Sequence, residues 1–338
     1  MAVRVATSRA VTLASRPTGF PSEDDFALVE QPVPEPGPGE VLVRTLWTSV
    51  DPYQRGRMSE SRSYAKPVEV GEVMTAQTIG EVVESNDARF APGDLVVGQL
   101  GWQDYAVVRA GSLRKVPREL DPPTLALHVI GATGFTAYFG LLDVCEPKPG
   151  DTVVVSGAAG AVGQIVGQIA KLAGCRTVGI AGGPDKATDC KLYGYDVAID
   201  YKNDDVRASL KEGCPDGVDV YFDNVGGEIS AAVHGRLNVG SRIAICGQVS
   251  QYNAVRPEPS FHPGLLIVFR AKMQGFLVSD YAHRFDEAAR RLARWVAEGK
   301  LQWREDVTDG LENAPSAFLG MLRGENRGKA LVKVADRS

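Results

Sequence analysis

The stretch DTVVVSGAAGAVGQIVGQIAKLAGC, residues 151–175, decides the fold. It begins with TVVVS, a continuous apolar run typical of a strand that is buried on both faces of a parallel sheet. Gly157, Gly160 and Gly163 follow at three-residue spacing. Glycines at such positions let the chain turn sharply and let its backbone approach a pyrophosphate closely. We therefore predict a strand–turn–helix unit that binds a nucleotide diphosphate at the start of the helix.

The helix after the glycines is predicted from its apolar spacing. Its apolar residues recur at three- and four-residue steps and share one face: Val162, Ile165, Val166, Ile169 and Leu172. Gly174 follows at the position of a left-handed cap. A glycine-rich turn without a ligand is the alternative, but the strand before it and the helix after it favour nucleotide binding.

The next predicted strand, RTVGIAGG (residues 176–183), indicates which dinucleotide binds. Sites for NAD often have an Asp or Glu at the end of this strand, where it holds the ribose hydroxyls. Here the strand ends in Gly182 and Gly183, and Lys186 follows. A missing carboxylate and a nearby cation favour the 2′-phosphate of NADP, although Asp185 adds a contrary charge. Alternatively, Lys186 is a solvated lysine at a helix start.

Two strands are predicted on opposite sides of the first. DVAIDY (196–201) is placed beside the second strand and brings Tyr201 near the adenosine end of the cofactor. VDVYFDNVGG (218–227) is placed across the switch point and brings Asn224 to the nicotinamide half. The reason is that ligands of doubly wound sheets lie beyond the carboxyl ends of the strands.

Two more strands are predicted on the nicotinamide side. SRIAICGQVSQY (241–252) has the segment from Cys246 to Tyr252 at its mouth, and MQGFLVSD (273–280) brings Phe276, Leu277 and Val278 near the nicotinamide. Any of these strand-end residues is alternatively a plain core or loop residue.

The sequence on either side of this α/β segment is β-rich. Short strands and turns fill the chain up to Val116, as in VLVRTLWTSV, IGEVVES, DLVVGQL and YAVV, and the tail ends in the strand-like GKALVKV. PVPEPGPGE (32–40) excludes a helix. We predict an α/β fold, with a doubly wound Rossmann domain at 127–300 and a discontinuous β-rich domain at 1–126 and 301–338.

Composition narrows the class of protein. A net charge of −5 over 338 residues argues against a nucleic-acid partner. No stretch approaches the ~20 apolar residues that span a bilayer, and MAVRVATSRAVTLASRPTGF has no clean apolar core for a signal peptide, so we expect a cytoplasmic protein. Five cysteines and four histidines are scattered, so neither a disulfide framework nor a metal site is expected.

Segments spread over nearly the whole chain resemble one family. They are VDPYQRGRM, GATGFTAYFGL, SGAAGAVGQIVGQIAK, YFDNVGGE, CGQVSQYN and GENRGK. They are similar to segments of the zinc-independent medium-chain dehydrogenase/reductases, in the group of prostaglandin reductases, leukotriene B4 dehydrogenases and 2-alkenal (double-bond) reductases. The resemblance implies that the β-rich domain is a GroES-like β-barrel, and that no metal is required.

The resemblance also implies that the cofactor is NADP(H) and which residues contact it. These residues are Gly160, Ala161, Val162, Gly163, Lys186, Tyr201, Asn224, Cys246, Gly247, Gln248, Val249, Ser250, Gln251, Tyr252, Phe276, Leu277, Val278 and Asn326. Several of these residues are also expected near the cofactor from the predicted strand order. Asn326 is expected from the resemblance alone, and from the returning tail it would reach the cofactor across an interdomain cleft.

The reaction implied by the resemblance is reduction of a carbon–carbon double bond conjugated to a carbonyl. The substrate would be an α,β-unsaturated aldehyde or ketone, either small or lipid-derived. Hydride would pass from NADPH to the β-carbon, and the enolate would then be protonated at the α-carbon. An NADPH-dependent quinone reductase and a non-catalytic NADPH-binding protein are the alternatives.

The proton donor stays open. Several family members carry a tyrosine before the sixth strand, where this chain has Val268. Tyr53, Tyr64 and Tyr252 are the remaining candidates, and a water molecule or the ribose hydroxyl is an alternative. Each tyrosine is equally well a wall of the pocket. The segment 58–70 is expected to border the substrate.

An exposed edge strand of the predicted sheet favours a homodimer. The apolar stretch LLIVF (265–269) is interpreted as a strand, and with the following MQGFLV it would leave an exposed edge in a monomer. Pairing of that edge with a second copy predicts a twofold homodimer.

Overall fold

Two units make up the chain, and each has a sheet of its own. The computed structural model describes residues 7–256 and 262–337. One unit comprises the residues up to Leu127 together with those from Glu305 onward, and the other runs from His128 to Arg304. The first unit is therefore discontinuous in sequence.

The strands and helices alternate most regularly in the second unit. The strands are β1 (Thr7–Leu13), β2 (Phe26–Pro32), β3 (Glu40–Ser49), β4 (Gln77–Ser85), β5 (Leu95–Gln99), β6 (Tyr105–Arg109), β7 (Arg114–Lys115), β8 (Thr152–Ser156), β9 (Arg176–Ala181), β10 (Val197–Asp200), β11 (Val218–Asp223), β12 (Leu237–Ile245), β13 (Lys272–Gly275), β14 (Glu305–Asp309) and β15 (Lys329–Lys333). The α-helices are α1 (Tyr53–Arg57), α2 (Ala132–Phe139), α3 (Gly163–Leu172), α4 (Pro184–Leu192), α5 (Val206–Gly213), α6 (Gly227–His234), α7 (Gly264–Phe269), α8 (Phe285–Ala297) and α9 (Ala314–Leu322).

The second unit is a doubly wound parallel sheet. Its six strands lie in the order β10-β9-β8-β11-β12-β13, and every pair is parallel. All five residues of β8 are buried, as expected for an apolar run covered by helices on both faces. The third strand lies beside the second and the fourth lies across the first, as predicted. The switch point is therefore at β8, directly before the glycine turn.

Helix α3 is buried along most of its length rather than on one face. Every residue from Gly163 to Ala170 is buried, including the polar Gln164 and Gln168. Leu172, predicted on the apolar face, is the last residue of the helix and is 42% exposed. Gly174 has a φ of +81°, which confirms the predicted left-handed cap.

The first unit is all-β apart from short helices. A seven-stranded sheet runs β14-β15-β3-β4-β5-β7, with β6 paired to β3, and β1 pairs with β2 in a separate sheet. One of its cores is aromatic: Trp102, Phe26 and Phe318 pack with ring centroids 5.8–6.1 Å apart. The returning tail supplies the parallel pair β14 and β15, and β15 joins β3, so both ends of the chain build this sheet.

Three predicted strands differ from the structure. LLIVF is not a strand: it lies in helix α7, which begins after Pro263 and ends at Arg270 with a φ of +47°. Five apolar residues have no periodicity that separates a strand from a helix, so the prediction was wrong. Strand β12 begins at Leu237, earlier than predicted, and β13 ends at Gly275, so that Phe276 to Val278 follow the strand rather than continue it.

Within the described ranges, no helix is long and apolar enough to cross a membrane.

Candidate functional site

The turn between β8 and α3 leaves little room for a side chain at Gly160 and none at Gly163. A Cβ on Gly163 would lie 2.3 Å from the carbonyl oxygen of Gly157, and one on Gly160 would lie 3.1 Å from the same oxygen. Gly157 has a φ of +61°, which strongly favours glycine. The backbone is therefore bare at the helix start, where the first N–H groups have no partner within the helix. This cradle suits a pyrophosphate, and the structure places Gly160, Ala161, Val162 and Gly163 in it.

A buried tyrosine that sequence reasoning missed holds the start of α3. The Tyr195 hydroxyl donates a 2.7 Å hydrogen bond to the carbonyl oxygen of Gly163. Its ring fills the space beside Gly167 and Gly179, where an added Cβ would lie 2.2 Å and 3.0 Å from ring atoms. Burial raises the pKa of Tyr195 well above its ordinary value, so the hydroxyl stays protonated and donates. Gly167 and Gly179 are explained by this ring rather than by the cofactor.

The end of the second strand is shaped by the end of the third. The Tyr201 ring lies directly against Gly182, because a Cβ there would be 2.7 Å from ring atoms. The Asp200 carboxylate accepts a 2.6 Å hydrogen bond from the N–H of Gly183. Gly183 is the N-cap of α4, and half-buried Lys186 lies in the first turn of that helix. Lys186 and Tyr201 are thus brought to the same corner.

The end of the fourth strand is organised by the buried carboxylate of Asp223. It accepts hydrogen bonds from the hydroxyls of Ser156, Tyr221 and Ser230 at 3.0, 2.9 and 2.6 Å. It also accepts from the N–H groups of Val225 and Gly226, at 2.9 Å each. A buried carboxylate requires such donors. Sequence reasoning missed Asp223, because its partners come from three separate elements.

Asn224 is fixed against the last residue of β8. Its side-chain amide donates to the carbonyl oxygen of Ser156 at 2.8 Å, and its backbone N–H donates to the Ser156 hydroxyl at 3.0 Å. Ser156 directly precedes the glycine turn. Asn224 therefore lies beside the cradle, as the predicted switch-point geometry requires.

The Cys246–Tyr252 loop packs on the Asn224 turn. The N–H groups of Cys246 and Gly247 donate to the carbonyl oxygen of Asp223, and the Ser250 hydroxyl donates to that of Val225 at 2.7 Å. The Tyr252 hydroxyl lies over Gly247, 3.2 Å from where a Cβ would stand. Burial raises the pKa of the Cys246 thiol to about 12. The predicted residues of this loop thus adjoin Asn224.

Phe276 packs on Phe222, near the carboxyl end of strand β11. Its ring is edge-on to Phe222, with centroids 6.2 Å apart, and a Cβ on Gly140 would be 2.3 Å from it. Gly140 begins a π-helical segment that ends at Cys145. Such segments are frequent at functional sites. Leu277 and Val278 follow at the start of a 3-10 helix and are half-buried.

In the first unit, two of the three candidate tyrosines lie close to the same guanidinium, that of Arg57. Arg57 is 5.7 Å from the Tyr53 ring centroid and 4.5 Å from that of Tyr64. Tyr64 is 61% exposed. The Tyr53 hydroxyl is buried and makes no hydrogen bond of ordinary geometry to any described residue. Burial, then the charge of Asp51, raises the pKa of Tyr53, although the nearby Gln99 side chain opposes the rise.

Helix α1, which carries Tyr53, is anchored to the returning tail. The buried Lys329 ammonium donates to the Asp51 carboxylate at 2.8 Å and to the carbonyl oxygens of Val50 and Ala330. The motifs around Asp51 and Lys329 are far apart in sequence, so this pair was not foreseen. Asn326 lies nearby along the chain and donates from its side chain to the carbonyl oxygen of Gly328 at 2.8 Å.

Comparison with known proteins adds independent information. Two family models match, one described as the N-terminal domain of oxidoreductase over residues 9–116 and one as zinc-binding dehydrogenase over residues 161–294. Despite the second description, no group of three or more His, Cys, Asp or Glu side chains in the described part of the chain could hold a metal ion.

Curated relatives and solved structures match over nearly the full length. The chain is 47% identical to the NADPH-dependent curcumin reductase of Escherichia coli, over 97% of each chain. It is 44% identical to bovine (Bos taurus) prostaglandin reductase 1, over 95% of this chain and 98% of the relative. The structure of CurA from Vibrio vulnificus in complex with NADPH superposes with a TM-score of 0.93 at 47% identity, covering 97% of this chain and 99% of that one.

Proposed function

This chain belongs to the medium-chain dehydrogenase/reductase family, in the zinc-independent group of prostaglandin, curcumin and 2-alkenal reductases, and from that premise we propose that it reduces the conjugated carbon–carbon double bond of α,β-unsaturated aldehydes and ketones. It is an NADP-dependent oxidoreductase. The observation that carries the proposal is the identity of 40–47% to reductases of this type, over at least 95% of the chain.

The residues of the second unit fit NADPH. At Gly160 and Gly163 an added Cβ would crowd the carbonyl oxygen of Gly157, so the turn carries no side chains at these positions, and helix α3 directs the N–H groups of its first turn there. We place the 2′-phosphate at Lys186, with Tyr201 beside it, and the nicotinamide half near Asn224, the Cys246–Tyr252 loop and Phe276–Val278. Asn326 stays a predicted contact. When bound, NADPH supplies the hydride that reaches the β-carbon of the substrate.

The protein must then stabilise the enolate oxygen and allow protonation of the α-carbon. A preorganised donor in a site that excludes water is worth a few kcal/mol to such a step. Tyr53, Tyr64 and Tyr252 are the candidate donors. Tyr53 is favoured, because its buried hydroxyl has no hydrogen bond of ordinary geometry to a described residue and its raised pKa keeps the proton on the oxygen. Val268 is not a donor: it is aliphatic and lies 60% exposed on α7.

The test is a comparison of substrates and cofactors. Purified protein is mixed with NADPH and a set of enones, enals and quinones, and oxidation of the nicotinamide is followed by absorbance. We expect kcat/KM to be highest for an enone or enal, with a saturated carbonyl compound as product by mass spectrometry. Higher kcat/KM with quinones would favour a quinone reductase. NADPH binding without turnover of any of these compounds would favour a non-catalytic role.

A twofold dimer through β13 is also proposed. β13 is the edge strand of the six-stranded sheet, and neighbouring α7 exposes Ile267 (80%) and Val268 (60%). An open edge beside apolar side chains suits pairing with a second copy. Light scattering coupled to gel filtration should give twice the mass of the chain, and Ile267→Lys should lower it. A monomer mass for the wild-type protein would contradict the proposal.

A further inference from the structure

The corner at the second and third strands contains a carboxylate that was not expected there. The second strand, β9, has no acidic residue at its end and is followed by Gly182 and Gly183. In the structure, Asp200 at the end of the neighbouring strand β10 reaches this turn, and it is 7% exposed. A carboxylate beside the proposed 2′-phosphate would repel it unless the charge is held by donors.

Donors from three residues hold that carboxylate. One oxygen accepts from the N–H groups of Gly183 at 2.6 Å and Lys202 at 3.1 Å, and the other accepts from the Asn203 side-chain amide at 2.6 Å. Burial opposes ionisation of Asp200, but these bonds outweigh it and lower its pKa, so the group is ionised at neutral pH. The carboxylate oxygens of Asp200 therefore accept hydrogen bonds from two backbone N–H groups and from Asn203, and not from a ribose hydroxyl.

The contact at Gly183 has a consequence for Lys186. Gly183 has a φ of +97° and is the N-cap of α4, with Pro184 as the first helical residue. Fixing the Gly183 N–H therefore fixes where α4 begins and where its first turn presents Lys186. The Tyr201 ring presses on Gly182 from the same strand end. The turn is thus held by a hydrogen bond at one glycine and by a ring at the other.

We propose that Asp200 is a positioning residue for cofactor selectivity: it fixes the Gly182–Gly183 turn and the start of α4, so that Lys186 meets the 2′-phosphate of NADPH. This inference rests on the proposed placement of the 2′-phosphate at Lys186 and names what sets the preference for NADPH over NADH. Asp200 acts through the backbone of Gly183 and does not itself contact the cofactor.

Asp196 provides a matched control at the opposite end of β10. Its carboxylate accepts a 2.8 Å hydrogen bond from the N–H of Thr177 at the start of β9, and it also pairs with Lys171 at 2.8 Å. Asp196 therefore clamps the same two strands as Asp200, but at the edge away from the cofactor. A general loss of sheet stability should affect Asp196→Ala and Asp200→Ala alike, whereas a loss of selectivity should affect only Asp200→Ala.

The experiment measures kcat/KM for NADPH and NADH with one enone, in the wild-type protein and in Asp200→Ala, Asp200→Asn, Asp196→Ala and Lys186→Ala. We expect the NADPH/NADH ratio to fall about tenfold in Asp200→Ala and to change little in Asp196→Ala. Asp200→Asn should keep most of the preference, because its amide oxygen still accepts from Gly183. Thermal unfolding of each variant shows that it is folded.

Two results would overturn the inference. If Asp200 acts only through its charge, both Asp200→Ala and Asp200→Asn should raise the preference for NADPH. If the turn needs no clamp, Asp200→Ala should keep the wild-type ratio, as Asp196→Ala does. The proposed function fails separately: a wild-type protein that does not use NADPH with any enone refutes it, and an unchanged ratio in Lys186→Ala refutes the 2′-phosphate site at that residue.

Discussion

Replacement of Tyr53 by phenylalanine should stabilise the protein while it impairs catalysis. The Tyr53 hydroxyl is buried and makes no ordinary hydrogen bond to a described residue. Leaving such a group without a partner costs about 1–3 kcal/mol, so its removal should raise the free energy of unfolding by about 1 kcal/mol. For a chain of this size that corresponds to about 2 °C in Tm. If the same hydroxyl is the donor to the enolate oxygen, kcat should fall about 100-fold.

The two effects are measured independently. Stability is followed by thermal and urea unfolding without cofactor, and activity by steady-state kinetics with NADPH and an enone. Tyr64→Phe is the control for the stability effect alone, because that side chain is 61% exposed and stacked on Arg57, and a surface hydroxyl should change stability by less than about 0.5 kcal/mol. A Tyr53→Phe protein with wild-type kcat would exclude Tyr53 as donor and leave Tyr64 and Tyr252 as the candidates. A Tyr53→Phe protein that is less stable than the wild type would refute the interpretation that the Tyr53 hydroxyl lacks a hydrogen-bond partner.

Three further outcomes are expected. Gly163→Ala should destabilise the protein and raise the KM for NADPH about tenfold or more, because its Cβ would lie 2.3 Å from the carbonyl oxygen of Gly157. Gly160→Ala should have a milder effect, because its Cβ would lie 3.1 Å from the same oxygen, and equal effects of the two variants would contradict this geometry. Lys329→Met should cost about 3 kcal/mol in urea unfolding, since it leaves the Asp51 carboxylate without its buried cation; an unchanged midpoint would argue against the anchor. Because burial raises its pKa to about 12, the Cys246 thiol should remain protonated and resist alkylation by iodoacetamide up to about pH 9; prompt labelling of the native protein, detected by mass spectrometry, would show otherwise.

Much of the second unit was predictable from local patterns. The buried run TVVVS, the glycine spacing and the apolar helix identify β8 and α3 without a structure, and the same reasoning places β9, β10 and β11 in the correct order. Prediction from local patterns failed where the apolar residues have no periodicity. LLIVF is apolar at every position, so it fits a strand and a helix equally well, and Pro263 and the left-handed Arg270 set the helix that forms.

The side-chain hydrogen-bond networks could not be predicted from the sequence. Asp223 binds hydroxyls from β8 and α6 together with the turn after β11, and Asp200 binds a glycine that follows β9. Lys329 meets Asp51 although the whole dinucleotide-binding unit separates them in the chain. No spacing rule joins such residues, because their distances depend on strand order and register.

The sequence by itself determined most strands and helices of the second unit, with LLIVF as the exception, and which residues follow the carboxyl ends of its strands, because both depend on short-range periodicity and on the backbone demands of glycine. Only the tertiary structure decided which groups hold those ends in place. Asp200 shows the difference: in the sequence it is one acidic residue in a predicted strand, and in the fold it fixes the turn that leads to Lys186. Burial and alignment of two parallel strands create that contact, and neither is a property of a single segment.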